Sequence, residues 1–330
     1  MILEQVRDPI ETEVYDDILQ AIGNSPMVRL NNIGRDLPCK LFAKVEAFNP
    51  GGSVKDRIAV NIIDEAERNG RLKPGGTVVE ATSGNTGVGL AIVCAIKGYK
   101  SVFVMPDKMS KEKIQLLRAY GAKVVITPTA VVPEDPRSYY SVANQIVEET
   151  PNAILANQYH NPENPLSHYQ TTGPEIWRQT CGLVTDVVIG MGTGGTISGV
   201  GKFLKEKNPD VHIVGVDPTG SILLETWQRG VVPDDLEAFP YLVEGIGEDF
   251  LPSTLDLSVI DEILRVTDKD SFLMARRLVK EEGIFCGGSS GSALAAAVRH
   301  AQKLSPDHLV VVVLPDSGSR YLSKLFDDEW

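Results

Sequence analysis

Lys55 stands where a lysine could do chemistry. It follows Asn49-Pro50-Gly51-Gly52-Ser53-Val54, in which a proline and two glycines break the chain ahead of a helical pattern. With Ser53 as N-cap, Lys55 falls in the first helical turn, where the positive helix end disfavours a cation. An amine held there has a lowered pKa and becomes a better nucleophile or Schiff-base former. A solvated Lys55 paired with Asp56 or Glu46 reads the same residues without any chemistry.

Three further loops each end at the start of a helical pattern. Glu80-Ala81-Thr82-Ser83-Gly84-Asn85-Thr86-Gly87 gathers hydroxyls, an amide and backbone N–H groups into a nest suited to a carboxylate or phosphate. Capping by Ser83, Asn85 or Thr86 is the plainer account of it. Gly190-Met191-Gly192-Thr193-Gly194-Gly195-Thr196 offers anion-binding amides and two threonine hydroxyls. Cys286-Gly287-Gly288-Ser289-Ser290-Gly291-Ser292 precedes an alanine-rich helical stretch, with Ser289 or Ser290 available as its cap. Gly190, Gly192 and Gly195 also satisfy G-x-G-x-x-G, and Asp217 ends the next strand-like run. Taken alone, that loop suggests an NAD-dependent oxidoreductase. Such an enzyme leaves Lys55 and the 82–86 nest without a role, and no hydride-transfer constellation accompanies it.

The elements that must position these loops alternate. Strands are predicted at 41–46, 77–81, 101–105, 123–127, 186–190, 212–217 and 309–314, and helices at 55–69, 86–97, 110–120, 139–149, 197–207, 269–282 and 292–300. Strands rich in valine and isoleucine on both faces, separated by amphipathic helices, indicate parallel sheets in an α/β fold. The strand–helix alternation stops after 128 and restarts near 184, so two α/β domains are expected, with 151–165 crossing between them.

Composition narrows the partners. The 330 residues are 42% hydrophobic and 23% charged, as in ordinary globular proteins. A net charge of −12 argues against nucleic acid or anionic membranes as partners. The acidic N-terminus (Glu4, Asp8, Glu11, Glu13, Asp16, Asp17) has no apolar signal region, and no apolar run is long enough to span a bilayer, so a cytoplasmic protein is expected. Cys39, Cys94, Cys181 and Cys286 are scattered and read as buried free thiols. His160, His168, His212, His300 and His308 lack zinc-ligand spacing, which leaves His160 and His168 with surface or packing roles and predicts no metal.

Together and in this order the four loops resemble fold-type II pyridoxal-phosphate enzymes, and among them the cystathionine β-synthase/cysteine synthase family. The resemblance runs from Ile22-Gly23-Asn24-Ser25-Pro26-Met27-Val28 to Leu314-Pro315-Asp316-Ser317. Gly51-Gly52-Ser53-Val54-Lys55-Asp56-Arg57, Val216-Asp217-Pro218-Thr219-Gly220-Ser221-Ile222 and Val243-Glu244-Gly245-Ile246-Gly247-Glu248-Asp249-Phe250 lean toward the cystathionine-forming branch. The resemblance implies two doubly wound α/β domains: a large one at 1–41 and 152–330, and a smaller mobile one at 42–151 that closes over substrate. It implies pyridoxal 5′-phosphate as cofactor, small amino-acid substrates and a homodimer.

It also assigns roles. Lys55 would hold the cofactor as a Schiff base and act as general base. Asn85 would bond the ring oxygen, Gly192, Thr193, Gly194, Gly195 and Thr196 would cradle the phosphate, and Ser289 would meet the ring nitrogen. Thr82, Ser83, Asn85 and Thr86 would grip the substrate carboxylate. Gln158 would add a further carboxylate contact and Tyr159 would pack near the ring, with Gly245 and Glu248 also in the substrate site. The implied reaction is β-replacement on L-serine or O-acetyl-L-serine, by homocysteine to give cystathionine or by sulfide to give cysteine. A diaminopropionate-type synthase that joins an amine is a related possibility, and a non-catalytic relative is disfavoured by the retained lysine. Three departures bear on this. The residues before Ile22 hold no Cys or His, so no haem is expected; the chain stops at Trp330, so no C-terminal regulatory module is expected. Glu248 stands where eukaryotic cystathionine synthases usually have tyrosine, which makes an acetylated serine a realistic donor.

Overall fold

The structure, a computed structural model, describes residues 14–330 except 83, 108, 110, 130, 132–134 and 234. Ser83, assigned above to the carboxylate nest, lies outside the described residues, as do Glu4, Asp8, Glu11 and Glu13.

In chain order the elements are β1 (Met27–Arg29), β2 (Lys40–Val45), α1 (Lys55–Arg68), β3 (Thr77–Ala81), α2 (Asn85–Lys97), β4 (Lys100–Pro106), α3 (Lys111–Ala119), β5 (Lys123–Thr127) and α4 (Tyr139–Glu149). There follow β6 (Ala153–Leu155), α5 (Glu163–Gln170), α6 (Thr172–Gln179), β7 (Asp186–Gly190), α7 (Gly195–Lys207), β8 (His212–Pro218), α8 (Leu223–Arg229), β9 (Glu262–Val266), α9 (Asp268–Glu282), α10 (Gly288–Ala301) and β10 (Leu309–Leu314). They build one six-stranded sheet, β1-β2-β10-β7-β8-β9, and one four-stranded sheet, β5-β4-β3-β6. Every pairing is parallel except β1 with β2. The α/β class and the two sheets match the sequence expectation.

Two strands lie at the expected limits of the smaller unit, and their pairings show which sheet each joins. β2, across the expected limit at 42, pairs with β10 from Lys40–Leu309 to Val45–Leu314 and so belongs to the larger sheet. β6, beyond the expected limit at 151, pairs with β3 in the smaller one. The stretch 151–165 therefore holds a strand and a helix start rather than a bare crossing. α5 and α6 were hidden by Pro165 and Pro174, which sit in the first turns of their helices, where a missing N–H costs nothing. β1 and β6 are three residues each, too short to show a period, and β9 is a charged strand at the sheet edge.

Burial explains the layers. β10, Leu-Val-Val-Val-Val-Leu, is buried throughout, as a central parallel strand covered on both faces must be. The loops of interest all leave the C-terminal strand ends: β2 toward Lys55, β3 toward Thr82, β6 toward Gln158, β7 toward Gly192, β8 toward Ser221 and β10 toward Asp316. Ligands of open α/β sheets bind at those ends. Among the described residues no helix is long and apolar enough to cross a membrane. Cys39, Cys94 and Cys286 are buried free thiols as expected, whereas Cys181 is exposed, in a turn with φ 52°.

The opposite strand ends carry a titratable cluster. Asp186 pairs with His300 Nε2 and His308 Nδ1, each at 2.7 Å, and His300 Nδ1 faces Glu262 Oε2 at 3.1 Å. His212, Glu262 and His300 bring ligand-type atoms within 4.8 Å of one another. The His212 and His300 rings lie in planes only 2° apart with centroids separated by 5.4 Å, so their in-plane lone pairs do not converge on one ion. The cluster is an ion-pair network. Burial opposes the charge on His300, but hydrogen bonding and charge from Asp186 outweigh it and raise its pKa above 6.5. Burial likewise opposes ionised Asp186, yet bonds from His300, His308 and Thr185 lower its pKa to about 2.

The signs follow from linkage. The His300 contribution is complete below its ordinary value and disappears as pH rises through the raised one, while that of Asp186 disappears as pH falls from 3.8 toward 2. Asp186→Asn is expected to cost about 3 kcal/mol, the scale for breaking a buried pair. It should also flatten the loss of stability that wild type shows above neutral pH. Urea unfolding at pH 5, 7 and 9 measures both, and identical pH slopes would refute the assignment.

Candidate functional site

Lys55 opens α1, and a buried ionic network sets that helix. Arg57, one turn-step further on, binds Glu46 through Nε at 2.7 Å and Nη2 at 2.9 Å, and Glu175 through Nη1 at 2.7 Å and Nη2 at 2.8 Å. Lys44 Nζ bonds the same Glu175 and the Ser25 carbonyl, both at 2.6 Å. Planar guanidinium between two carboxylates fixes direction as well as charge, so α1 cannot roll. Ser53 does not occupy the formal cap position, which is Val54; its hydroxyl accepts from the Lys55 N–H at 3.3 Å instead.

This network decides what Lys55 is. Glu46 is consumed by Arg57, and Asp56 accepts from the Gly51 N–H at 2.5 Å. Neither pairs with Lys55, whose amine has no hydrogen bond or ion pair among the described residues. Burial lowers its pKa, with the charges of Asp316 and Glu248 opposing the shift. An uncommitted amine with a lowered pKa, under the charges of two carboxyl groups, is equipped to act as nucleophile and base.

On one side of it lies the carboxylate nest. Thr82 and Thr86 are buried at the β3–α2 junction; Thr82 Oγ1 accepts from the Gly84 N–H at 3.2 Å, and Thr86 Oγ1 donates to Gln158 Oε1 at 2.5 Å. Gln158 is held by Glu80 at the end of β3, which accepts from the N–H groups of Asn157 at 2.6 Å and Gln158 at 3.3 Å. Burial pushes the Glu80 carboxyl up to about 7, against those bonds. Tyr159 stacks edge-on with Phe250 at 5.2 Å between ring centres.

On the other side lies the glycine loop at the start of α7. The N–H groups of Gly192, Thr193, Gly194 and Thr196 make no backbone hydrogen bond among the described residues, so they are available to an anion. Gly194 holds φ 81°, and a Cβ there would fall 2.7 Å from Leu255 Cα. Asn164 ties the two sides together, donating to the Gln158 carbonyl at 2.8 Å and to Thr193 Oγ1 at 3.0 Å. His168, expected at the surface or in packing, is buried and bridges Thr172 Oγ1 at 2.9 Å and Thr196 Oγ1 at 3.2 Å. Burial, then the Arg57 and Lys55 charges, lower its pKa to about 3, so it orients Thr196 as a neutral ring.

The dinucleotide alternative fails on Asp217. A ribose-binding acid must face the ligand, whereas Asp217 is fully buried, accepts from the Leu224 N–H at 3.0 Å and lies 3.4 Å from Arg265.

The remaining assigned residues close the cleft. Ser289 is buried at the start of α10 and its hydroxyl has no hydrogen bond among the described residues. Gly245, with φ 88°, places its carbonyl against the Gly192 backbone, and Gly247 N–H bonds the Met191 carbonyl at 2.6 Å. Glu248 follows, its carboxyl beside the Tyr159 hydroxyl and acting electrostatically on Lys55. Asn85 departs from a free ligand group: its Nδ2 donates to Asp316 Oδ2 at 2.8 Å and its Oδ1 accepts from Arg320. Glu244 pairs with Lys113 of α3 and, at 2.6 Å, with Lys324, joining the smaller sheet's layer to the larger one.

Sequence reading gave Asp316, Glu80, Asn164 and Arg320 no role in the site. Asp316 lies two residues past the end of β10, and its Oδ1 is buried without a hydrogen-bond partner among the described residues. Its place just past the C-terminal end of a strand was the signal available. The residues present fit pyridoxal phosphate: open amides for the phosphate, an unpaired serine for the ring nitrogen and a free amine for the aldehyde.

Comparison with known proteins agrees. The family described as "Pyridoxal-phosphate dependent enzyme" matches residues 18–316. Cystathionine β-synthase of Oryctolagus cuniculus is 50% identical over 323 residues, covering 96% of this chain and 57% of that protein. The chain thus spans less than two-thirds of the length of that relative. Cysteine synthase of Staphylococcus aureus is 45% identical over 317 residues, covering 95% of this chain and 98% of that one. The solved structure of O-ureido-L-serine synthase is 39% identical with a TM-score of 0.87, covering 96% of each chain.

Proposed function

The chain belongs to the pyridoxal-phosphate-dependent enzymes, and from that premise we propose that it condenses L-serine, or O-acetyl-L-serine, with L-homocysteine to give L-cystathionine. The observation that carries the reading is the uncommitted Lys55 amine, set between an anion-binding loop and a hydroxyl-lined carboxylate nest. The likeness to cystathionine β-synthases along most of the chain supports this choice of reaction.

Bound here, the cofactor supplies an electron-withdrawing ring that acidifies the substrate Cα–H and lets the β-substituent depart. Gly192 to Thr196 would hold its phosphate, and Ser289 would meet its ring nitrogen. A serine hydroxyl cannot keep that nitrogen protonated as a carboxylate would, which favours chemistry at Cβ over long-lived charge at Cα. Lys55 would anchor the cofactor, and its Nζ would take the Cα proton and later return it. Thr82, Thr86 and Gln158 bind the α-carboxylate. Asn85 would have to release Asp316 and Arg320 to reach the ligand. The Glu244 bridge to Lys113 and Lys324 holds the cleft shut against water.

Cysteine synthase activity is the second reading, supported by likeness to the Staphylococcus aureus enzyme along nearly its whole length. Both donors, each with homocysteine or sulfide, separate the two. The expected result is a higher kcat/KM for homocysteine, with cystathionine as product. A preference for sulfide assigns the chain to the second reading.

A further inference from the structure

Two carboxyl groups act on Lys55, and they are not equivalent. Asp316 is buried; its Oδ2 accepts from Asn85 at 2.8 Å and from the Tyr321 hydroxyl at 2.7 Å. It is fixed behind Asn85. Glu248 is only half-buried, on a loop tied by its own N–H to Ser221 Oγ at 3.0 Å and by the preceding glycine to Met191. Among the described residues no backbone amide, lysine or arginine bonds its carboxyl, and its hydrogen-bonding neighbour is Tyr159. Lys55 of α1, Asp217 at the end of β8, Asp249, Tyr241, and Tyr139 and Tyr140 of α4 are the other titratable groups facing it. Its loop is bonded to Met191 beside the phosphate loop, and its carboxyl faces Tyr159, the chain neighbour of Gln158 in the carboxylate nest, so Glu248 sits at the junction of the two.

Resting on the β-replacement reading above, we propose that Glu248 is the general acid that protonates the departing β-hydroxyl of L-serine, and that its carboxylate then accepts the proton of the incoming thiol. The step balances. Lys55 takes the Cα proton, and the electron pair of that bond moves into Cα–Cβ as Cβ–O breaks. The oxygen leaves with its bonding pair and the Glu248 proton, as water. The thiol then adds through sulfur to Cβ and passes its proton to Glu248, while Lys55 returns its proton to Cα. Both side chains end as they began. Burial, first among the influences, pushes the Glu248 carboxyl up to about 8 against the Tyr159 bond and the Lys55 charge, which keeps it protonated near neutrality.

The leaving group tests this. Hydroxide needs a proton to depart; acetate does not. Glu248→Gln is expected to lower kcat with L-serine by about 100-fold, within the range for loss of a general acid. With O-acetyl-L-serine it should change kcat by no more than about three-fold, well under a tenfold barrier change. The wild-type rate with serine should fall above pH 8 as Glu248 ionises, a limb absent with the acetylated donor. Tyr159→Phe, which removes the bond favouring the carboxylate, should move that limb to higher pH, and Glu248→Asp should recover part of the serine rate. An equal loss with both donors, or none with serine, overturns the proposal, as does a wild-type enzyme that uses O-acetylserine but not serine. In that last case β-replacement itself still stands. Retained cofactor absorbance in each variant shows that the holoenzyme was measured, and a Glu248→Gln protein without it leaves the pH shift of Tyr159→Phe to decide.

Discussion

Replacing Lys55 by alanine is expected to abolish turnover, by about 10⁴-fold or more, since a positioned base alone contributes up to that amount. The visible absorption of lysine-bound cofactor should vanish as well. The reason is that no other amine can substitute. Lys44 is buried against Glu175 and the Ser25 carbonyl, and Lys113 pairs with Glu244, so both are committed elsewhere. Among the described residues, Lys55 alone combines a lowered pKa with an amine free of ion pairs. Cofactor should still bind through the 192–196 loop, because that loop does not depend on the lysine. Borohydride fixation followed by peptide mapping places the label. A label on another lysine, or near-normal turnover in Lys55→Ala, would sink the assignment.

Gly194→Ala is expected to weaken cofactor binding through a single added methyl group. Its φ of 81° already costs an alanine about 1–2 kcal/mol. The added carbon would also lie 2.7 Å from Leu255 Cα, which is backbone and cannot swing aside. The loop must shift, and with it the first amides of α7. A combined loss of about 3 kcal/mol corresponds to cofactor binding weakened by more than 100-fold. Gly245 is the control: φ is 88°, yet nothing lies within 4 Å of a Cβ there. Gly245→Ala should show the conformational cost alone. Cofactor titration by fluorescence, alongside thermal unfolding, distinguishes the two; equal affinities in the two variants would contradict the steric argument.

Legibility tracked the range of the interactions. β10, β3, β5, β7 and α4 have the limits expected from sequence, because a buried valine-rich run or an amphipathic repeat is a local pattern. α7 and α10 begin earlier than expected, at Gly195 and Gly288, because their first turns are made of the glycines and serines that also form the ligand loops. A residue reads as loop when its amides serve a ligand, even where the backbone is already helical. The change of sheet at β2 and β6 was not legible. Nothing in Lys40–Val45 says that its partner is β10, 264 residues beyond its own end at Val45 when counted to Leu309.

By itself the sequence determined which segments could hold an anion, which lysine stood at a helix start, and through resemblance which cofactor they would serve. Those properties need only glycines, hydroxyls and a helix N-terminus in consecutive positions. Tertiary structure decided everything that depends on charge at a distance. It took Glu46 and Asp56 away from Lys55 and buried Asp217 where no ribose can reach it. It turned His168 inward onto Thr196, and it brought Asp316 and Glu248 to bear on one amine. The order of strands sets those neighbours, and ionisation then follows from who is near whom and how much water remains.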